Sequence, residues 1–147
     1  MMTRYDERGA VGGVEGLAFG ALIFAFGTLL VLNAWAVVDG KIAASAAARE
    51  ASRAYVEAAD DPTGRVSATD AANAVVASRL VGVDIEADSA ASTYERCQPI
   101  RAVVVVAVPR VSLPMLGGVG GTMHVSATHA EVVDPYRSGL TSTTACS

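Results

Sequence analysis

Two histidines, two cysteines and a scatter of carboxylates are the side chains of this 147-residue sequence equipped for metal binding or catalysis. His124 and His129 stand five apart, and on an extended strand an odd spacing turns them to opposite faces. A zinc site would then need Cys97 to arrive from a distant part of the chain, which no spacing foretells. A membrane-tethered enzyme would have to draw a convergent site from Asp84, Glu86, Glu95, His124, His129 and Glu131. No serine or cysteine has a nearby His-Asp pattern that would activate it. The run Pro114-Met115-Leu116-Gly117-Gly118-Val119-Gly120-Gly121 has the glycines to cradle a phosphate. It lacks the Lys-Ser/Thr of a P-loop, however, and joins strand to strand rather than strand to helix. Catalysis has no positive support, and nothing in the sequence asks for a cofactor or a metal.

Cys97 and Cys146 are the sole thiols, and the chemistry open to them is a disulfide, provided that this part of the chain lies in an oxidising compartment. Such a bridge would close a loop of about 50 residues and stabilise the fold by about 2–4 kcal/mol. Two unpaired thiols are the other reading, because Cys146 is the penultimate residue.

These groups need elements to hold them, and composition limits which elements. Eleven Lys and Arg against fifteen Asp and Glu give a formal net charge of -4, so there is no electrostatic footprint for nucleic acid. The chain is 52% hydrophobic with only 5% aromatics, so its apolar content is largely Ala and Val rather than the rings of a large soluble core. A mean hydropathy of +0.39 asks for a membrane.

The membrane segment is the 23-residue run 16–38, which contains no charge. As a helix it rises about 34 Å, enough for a hydrocarbon core of about 30 Å, and Trp35 falls at the far interface. It is too long for the apolar part of a cleaved secretory signal, and the rest of the chain is too small and Ala-rich to wrap it as a core helix. Arg4, Arg8 and the terminal amine favour a cytoplasmic N-terminus, which leaves the C-terminal part outside. Gly12, Gly16 and Gly20 recur every four residues along one side of the helix entrance, a spacing that permits close helix contact in lipid. Glu15 lies almost beside that stripe. An ionisable group there either snorkels to water or meets a partner, such as a charge on a neighbouring chain.

Beyond Val38 the helix continues. Residues 41–59 are rich in Ala, with Arg49, Glu50, Arg53 and Glu57 at helical spacing, and Asp60-Asp61-Pro62-Thr63-Gly64 is read as the stop. A rod over 13–59 of about 70 Å follows, its outer half thin enough in Ala to pack against something flat. A shorter helix is expected from Thr69, as N-cap, to Val81, ending at Gly82. Val83 and Ile85 alternate with Asp84 and Glu86 as in a half-exposed strand. Residues 102–108, AVVVVAV, between Pro99 and Pro109, read as a strand covered on both faces, and Thr122–Val133 as a third. The fold class is α+β: a long N-terminal transmembrane helix continuing outside the membrane, a short second helix and a small three-stranded antiparallel β-sheet.

Arg8-Gly9, Glu15, the apolar helix and Ala47-Ala48-Arg49-Glu50-Ala51-Ser52-Arg53 together resemble the TadE-like pilus-assembly proteins, pseudopilin-like components of tight-adherence (Flp-type) systems. The likeness is strongest over 8–58, and the segment VSATHAEVVDPYRSGL is similar to the final strand of related sequences. The resemblance implies a pilin-like arrangement with a cytoplasmic leader over 1–15, a transmembrane helix over 16–38, an exported helix extension over 39–60 and an exported α+β domain over 61–147. It implies a single-pass membrane pseudopilin or minor pilus-assembly component with a structural, non-catalytic role. Its partners would be the membrane, other pilus-assembly subunits and a prepilin peptidase. That peptidase would cut after Gly9, which puts Glu15 sixth in the mature chain, or after Ala10, which puts it fifth, where the wider type IV pilin pattern has its glutamate. Glu15 could then neutralise the new N-terminal amine of an adjacent subunit. A membrane-anchored extracytoplasmic binding module unrelated to pilus assembly is the alternative.

Overall fold

The computed structural model describes residues 8–87, 94–111 and 121–140, with side chains from Glu15 onward. A single helix, α1 (Arg8–Val56), runs unbroken for 49 residues, and α2 (Asp61–Val76) and a short 3-10 turn (Ala77–Arg79) follow it. Three strands, β1 (Leu80–Ala87), β2 (Pro99–Pro109) and β3 (Thr122–Val132), form one antiparallel sheet in the order β1-β2-β3. The arrangement is α+β, with the outer half of α1 laid across β2 and β3, and α2 lying against α1 and β1.

Along α1 the burial changes abruptly. From Glu15 to Leu32 every residue is exposed except Leu29, which is half-buried. From Gly40 onward one stripe, Gly40, Ala44, Ala47, Ala48, Ala51, Ser52 and Tyr55, is buried, each with a neighbour in the stripe three or four positions away. That is the stripe a straight helix presents to a flat partner, and alanines let the sheet come close. Its partners are α2 and the inner face of the sheet, where Ile100, Ala102, Val104, Val106 and Val108 of β2 and Val125 and Ala127 of β3 are buried.

Three expectations are corrected. The segment at residues 60–64 ends one helix but also starts the next: α2 begins at Asp61, eight residues before Thr69. Asp60 is its N-cap, accepting from the Thr63 N–H at 2.9 Å. Pro62 falls in the first turn, where its missing N–H has no helical partner to lose and its fixed φ already suits a helix. Thr69 lies within the helix and donates to the Arg65 carbonyl instead of capping. At the other end, α2 stops at Val76 because Ala77 adopts φ 51°, a left-handed conformation that breaks the helix. Gly82 is therefore a strand residue, beside a bulge between Leu80 and Gly82 where two residues of β1 oppose one step of β2.

The third correction concerns β2. Only its inner face is covered: Val103, Val105 and Ala107 on the other side are half-buried and Arg101 is exposed. A run of valines in the middle strand of a small sheet gains shelter from the strands on either side without a second layer. Pro99 and Pro109 sit at the two ends of this central strand, where a missing donor does not interrupt the ladder.

Candidate functional site

The junction between α1 and the sheet is built at three heights. At the lowest, the Asn33 side chain donates to the Val111 carbonyl and accepts from the Val111 N–H, both at 3.1 Å, while also donating to Leu29 O on its own helix. About two turns higher, Gly40 lies against β2 so closely that a Cβ there would stand 2.4 Å from Cγ2 of Val108. Next to it the Lys41 ammonium donates to the Ser126 carbonyl of β3. Higher still, Ser52 Oγ donates to Glu131 Oε2 at 2.9 Å and to Arg49 O. The rise of α1 from Lys41 to Ser52 and of β3 from Ser126 to Glu131 are each about 16 Å, so helix and strand run side by side in matched register.

Two cations from the helices guard the two sheet edges. Lys41 bonds the outward carbonyl of β3, and Arg65 on α2 donates to Ile85 O of β1 at 3.3 Å. An edge strand offers unpaired backbone groups to other chains, and covering them with a charged side chain blunts that tendency.

The C-terminal end of α1 is closed by a second cluster. Tyr94 Oη donates to the carbonyls of Tyr55 and Val56 at 2.9 and 2.8 Å; Arg137 donates to Val56 O and to Glu57 O, the latter at 2.7 Å. The guanidinium also stands over the Tyr94 ring, 5.9 Å from its centre, and the Tyr94 and Tyr55 rings meet edge to face at 5.4 Å. These donors answer carbonyls that the end of a helix leaves without partners, and the cation suits the negative end of its dipole. Tyr55 Oη in turn donates to Asp61 Oδ1 at 2.5 Å, and Arg65 holds Oδ2 of the same carboxylate at 3.0 Å. Burial, reinforced by the Asp61 carboxylate, pushes the Tyr55 phenol well above its ordinary range, and burial pushes Tyr94 up as well. Burial opposes ionisation of Asp61, but the bonds from Tyr55 and Arg65 outweigh it and keep the carboxyl below its usual value. Such a network fastens the α1–α2 turn. Beside it lies a recess of about 410 Å³ bordered by Val56, Glu57, Glu131, Val132, Asp134 and Arg137, none of them a nucleophile of the Ser, Thr or Cys type.

The structure distributes the residues singled out from sequence as follows. Gly9, Ala10 and Gly12 fall in the first turns of α1. Glu15 is exposed, and nothing lies within 4 Å of where a Cβ would stand on Gly16 or Gly20, so that side of the helix is open. Cys97 is disulfide-bonded and holds φ 64°, while Cys146 lies outside the described residues, as does most of the glycine-rich run at 114–121. His124 is exposed on the outer face of β3 and His129 is half-buried on the inner one. Asp84 and Glu86 project from β1 with the outer face, whereas Glu131 turns inward to Ser52. Among the described residues no three of His, Cys, Asp and Glu gather as a metal would require.

Sequence reasoning missed Asn33, Gly40 and the Tyr55–Tyr94–Arg137 cluster. Asn33 had a signal: it is the only amide side chain in the uncharged run 16–38. The cluster had none, because its members lie 39 and 43 positions apart.

Comparison with protein-family models, curated proteins and solved structures finds no match to this chain. Among the described residues one helix is long and apolar enough to cross a membrane; its most apolar 18-residue window has a mean hydropathy of 2.2, and none of that window is buried.

Proposed function

We propose that this chain is a single-pass membrane protein of pseudopilin type, a non-catalytic component in the assembly of a pilus or secretion apparatus, with its N-terminus in the cytoplasm and its α+β domain outside. The observation that carries the reading is the division of α1 into two halves: Glu15–Leu32 is apolar and uncovered, and the same helix then continues without a break into the core of a small domain. Leaving Leu17, Phe19, Ile23, Phe24 and Leu30 in water would cost about 1.5–3 kcal/mol for each side chain, whereas a bilayer accepts them all. An uninterrupted helix makes the domain and its anchor one rigid lever, the mechanical form an assembly subunit needs. The open side at Gly16 and Gly20, with Glu15 beside it, suits a second helix approaching in lipid.

Alkaline carbonate washing of membranes tests the anchor: the full-length chain should stay in the pellet, and its release as a soluble species would end the proposal. Mass spectrometry of the mature N-terminus then tests the pilin relationship. A start at Ala10 or Val11 supports prepilin processing, and an intact leader counts against it. Glu15→Ala should weaken co-purification with pilus-assembly subunits while membrane insertion is kept; unchanged co-purification would remove the pairing role.

A further inference from the structure

We infer that the lower rim of the folded domain, Arg110 and Val111 just beyond β2, rests in the phospholipid headgroup layer at the height of Trp35 of α1, giving the chain a second membrane contact beside its spanning helix. The inference rests on the membrane reading above and fixes what that reading leaves open, the height and tilt of the domain over the bilayer.

Asn33 sets the height of the domain on the helix. Its two bonds to the Val111 backbone bring the end of a strand down to a position five residues inside the uncharged run that ends at Val38. Arg110, an exposed cation next to Val111, is costly to place in hydrocarbon, so the hydrocarbon must stop at or below Asn33. It also cannot stop much lower. Glu15 to Leu32 rises about 27 Å, already close to the thickness of a hydrocarbon core of about 30 Å. Any downward shift would bring Leu30, Val31 and Leu32, which are exposed in the fold, into water. The boundary is thus confined to within a turn of Asn33.

What the domain presents at that height fits a headgroup layer. Trp35, 73% exposed, stands about 3 Å above Asn33 along the helix, at the level where tryptophan is enriched in membrane proteins. Val111, 49% exposed, lies at nearly the same height through its bonds to Asn33, and Val38 is exposed one turn higher. Arg110 adds an exposed cation next to Val111, whereas the neighbouring cations are engaged within the domain, Lys41 with Ser126 O and Arg79 with Asp39. An apolar rim with a guanidinium at its edge matches acyl-chain ends below and lipid phosphates above. Matched register between α1 and β3 keeps this rim level with the membrane: extrapolated downward from Lys41 and Ser126, the start of β3 at Thr122 also falls near the height of Asn33.

The test uses the full-length chain in vesicles of phosphatidylcholine with phosphatidylglycerol. Trp35 is the only tryptophan, so its emission reports one site. Cys97 is disulfide-bonded, so an environment-sensitive fluorophore on Val111→Cys reports the rim and the same label on Tyr136→Cys, 93% exposed near the far end of α1, reports the water-facing side. Aqueous iodide should quench the label at 111 several-fold less than the label at 136. Lipids carrying a nitroxide at the headgroup should quench both Trp35 and the label at 111. Arg110→Glu should raise iodide access at 111 in the anionic vesicles. Equal iodide access at 111 and 136, with the chain still resistant to carbonate, would overturn the inference and leave the membrane reading standing; carbonate release would sink both. Protection at 111 that vanishes when the protein is diluted into excess lipid would mean contact with a second copy, and would also overturn it.

Discussion

Replacing Gly40 by alanine should do opposite things in two backgrounds. In the native chain an added Cβ would lie 2.4 Å from Cγ2 of Val108, while the other neighbours, Val108 Cβ and Val125 Cγ2, are at an ordinary 3.7 Å. Val108 is 2% exposed and β-branched, so its methyl cannot easily swing away. Overpacking of this kind costs about 1–3 kcal/mol. Against it, alanine gains about 1 kcal/mol over glycine in a helix interior. Gly40→Ala should therefore range from neutral to about 2 kcal/mol destabilising. Val108→Ala removes the offending methyl and leaves only contacts of ordinary length. In that background Gly40→Ala should stabilise by up to about 1 kcal/mol, so the coupling between the two sites is about 1–3 kcal/mol. Thermal unfolding of the full-length protein in detergent, followed by circular dichroism, resolves this, because 1 kcal/mol moves the midpoint of a domain this size by about 4–8 °C. If the two substitutions prove additive within about 0.5 kcal/mol, the helix does not seat on β2 as described, and the rigid-lever argument fails with it.

Tyr55→Phe deletes the donor to the Asp61 carboxylate and should destabilise by about 1–3 kcal/mol, measured by the same melts. The pH dependence has an acid limb and an alkaline limb with different causes. Asp61 has a lowered folded pKa, so its contribution is present at neutral pH and lost as pH falls below about 4. Tyr55 and Tyr94 have raised ones, so theirs is lost as pH climbs past 10.0. Tyr55→Phe should flatten the alkaline limb; an unchanged limb would assign it elsewhere. Arg137→Ala strips donors from Val56 O and Glu57 O, and should speed amide exchange in the last turn of α1 while costing about 1–3 kcal/mol of stability. Unaltered exchange there would show that Tyr94 closes the helix alone.

The α+β class, the long apolar helix and three strands close to their observed bounds were legible because each depends on a local signal: an uncharged run, Ala-rich helical spacing, and β-branched or alternating segments. The start of α2 was misread because a proline with a glycine after it is both a helix stop and a helix first turn. The choice between them is made by the Asp60 cap and by Tyr55, whose ring packs where a side chain on Gly64 would stand, at 2.8 Å from its Cδ2. Likewise, the valines of β2 carry the same pattern whether one face is covered or two.

By itself the sequence determined that one uncharged stretch is long and apolar enough to cross a bilayer and that Ala-rich helix follows it, since hydropathy and propensity are sums over neighbours along the chain. Only the tertiary structure decided where the domain meets that helix. The bonds from Asn33 to Val111, from Lys41 to Ser126 and from Ser52 to Glu131 join residues 78, 85 and 79 positions apart. Their partners become neighbours only when an antiparallel sheet lays β2 and β3 along α1 in register; Asn33 stands out in its run, but no segment alone names its partner.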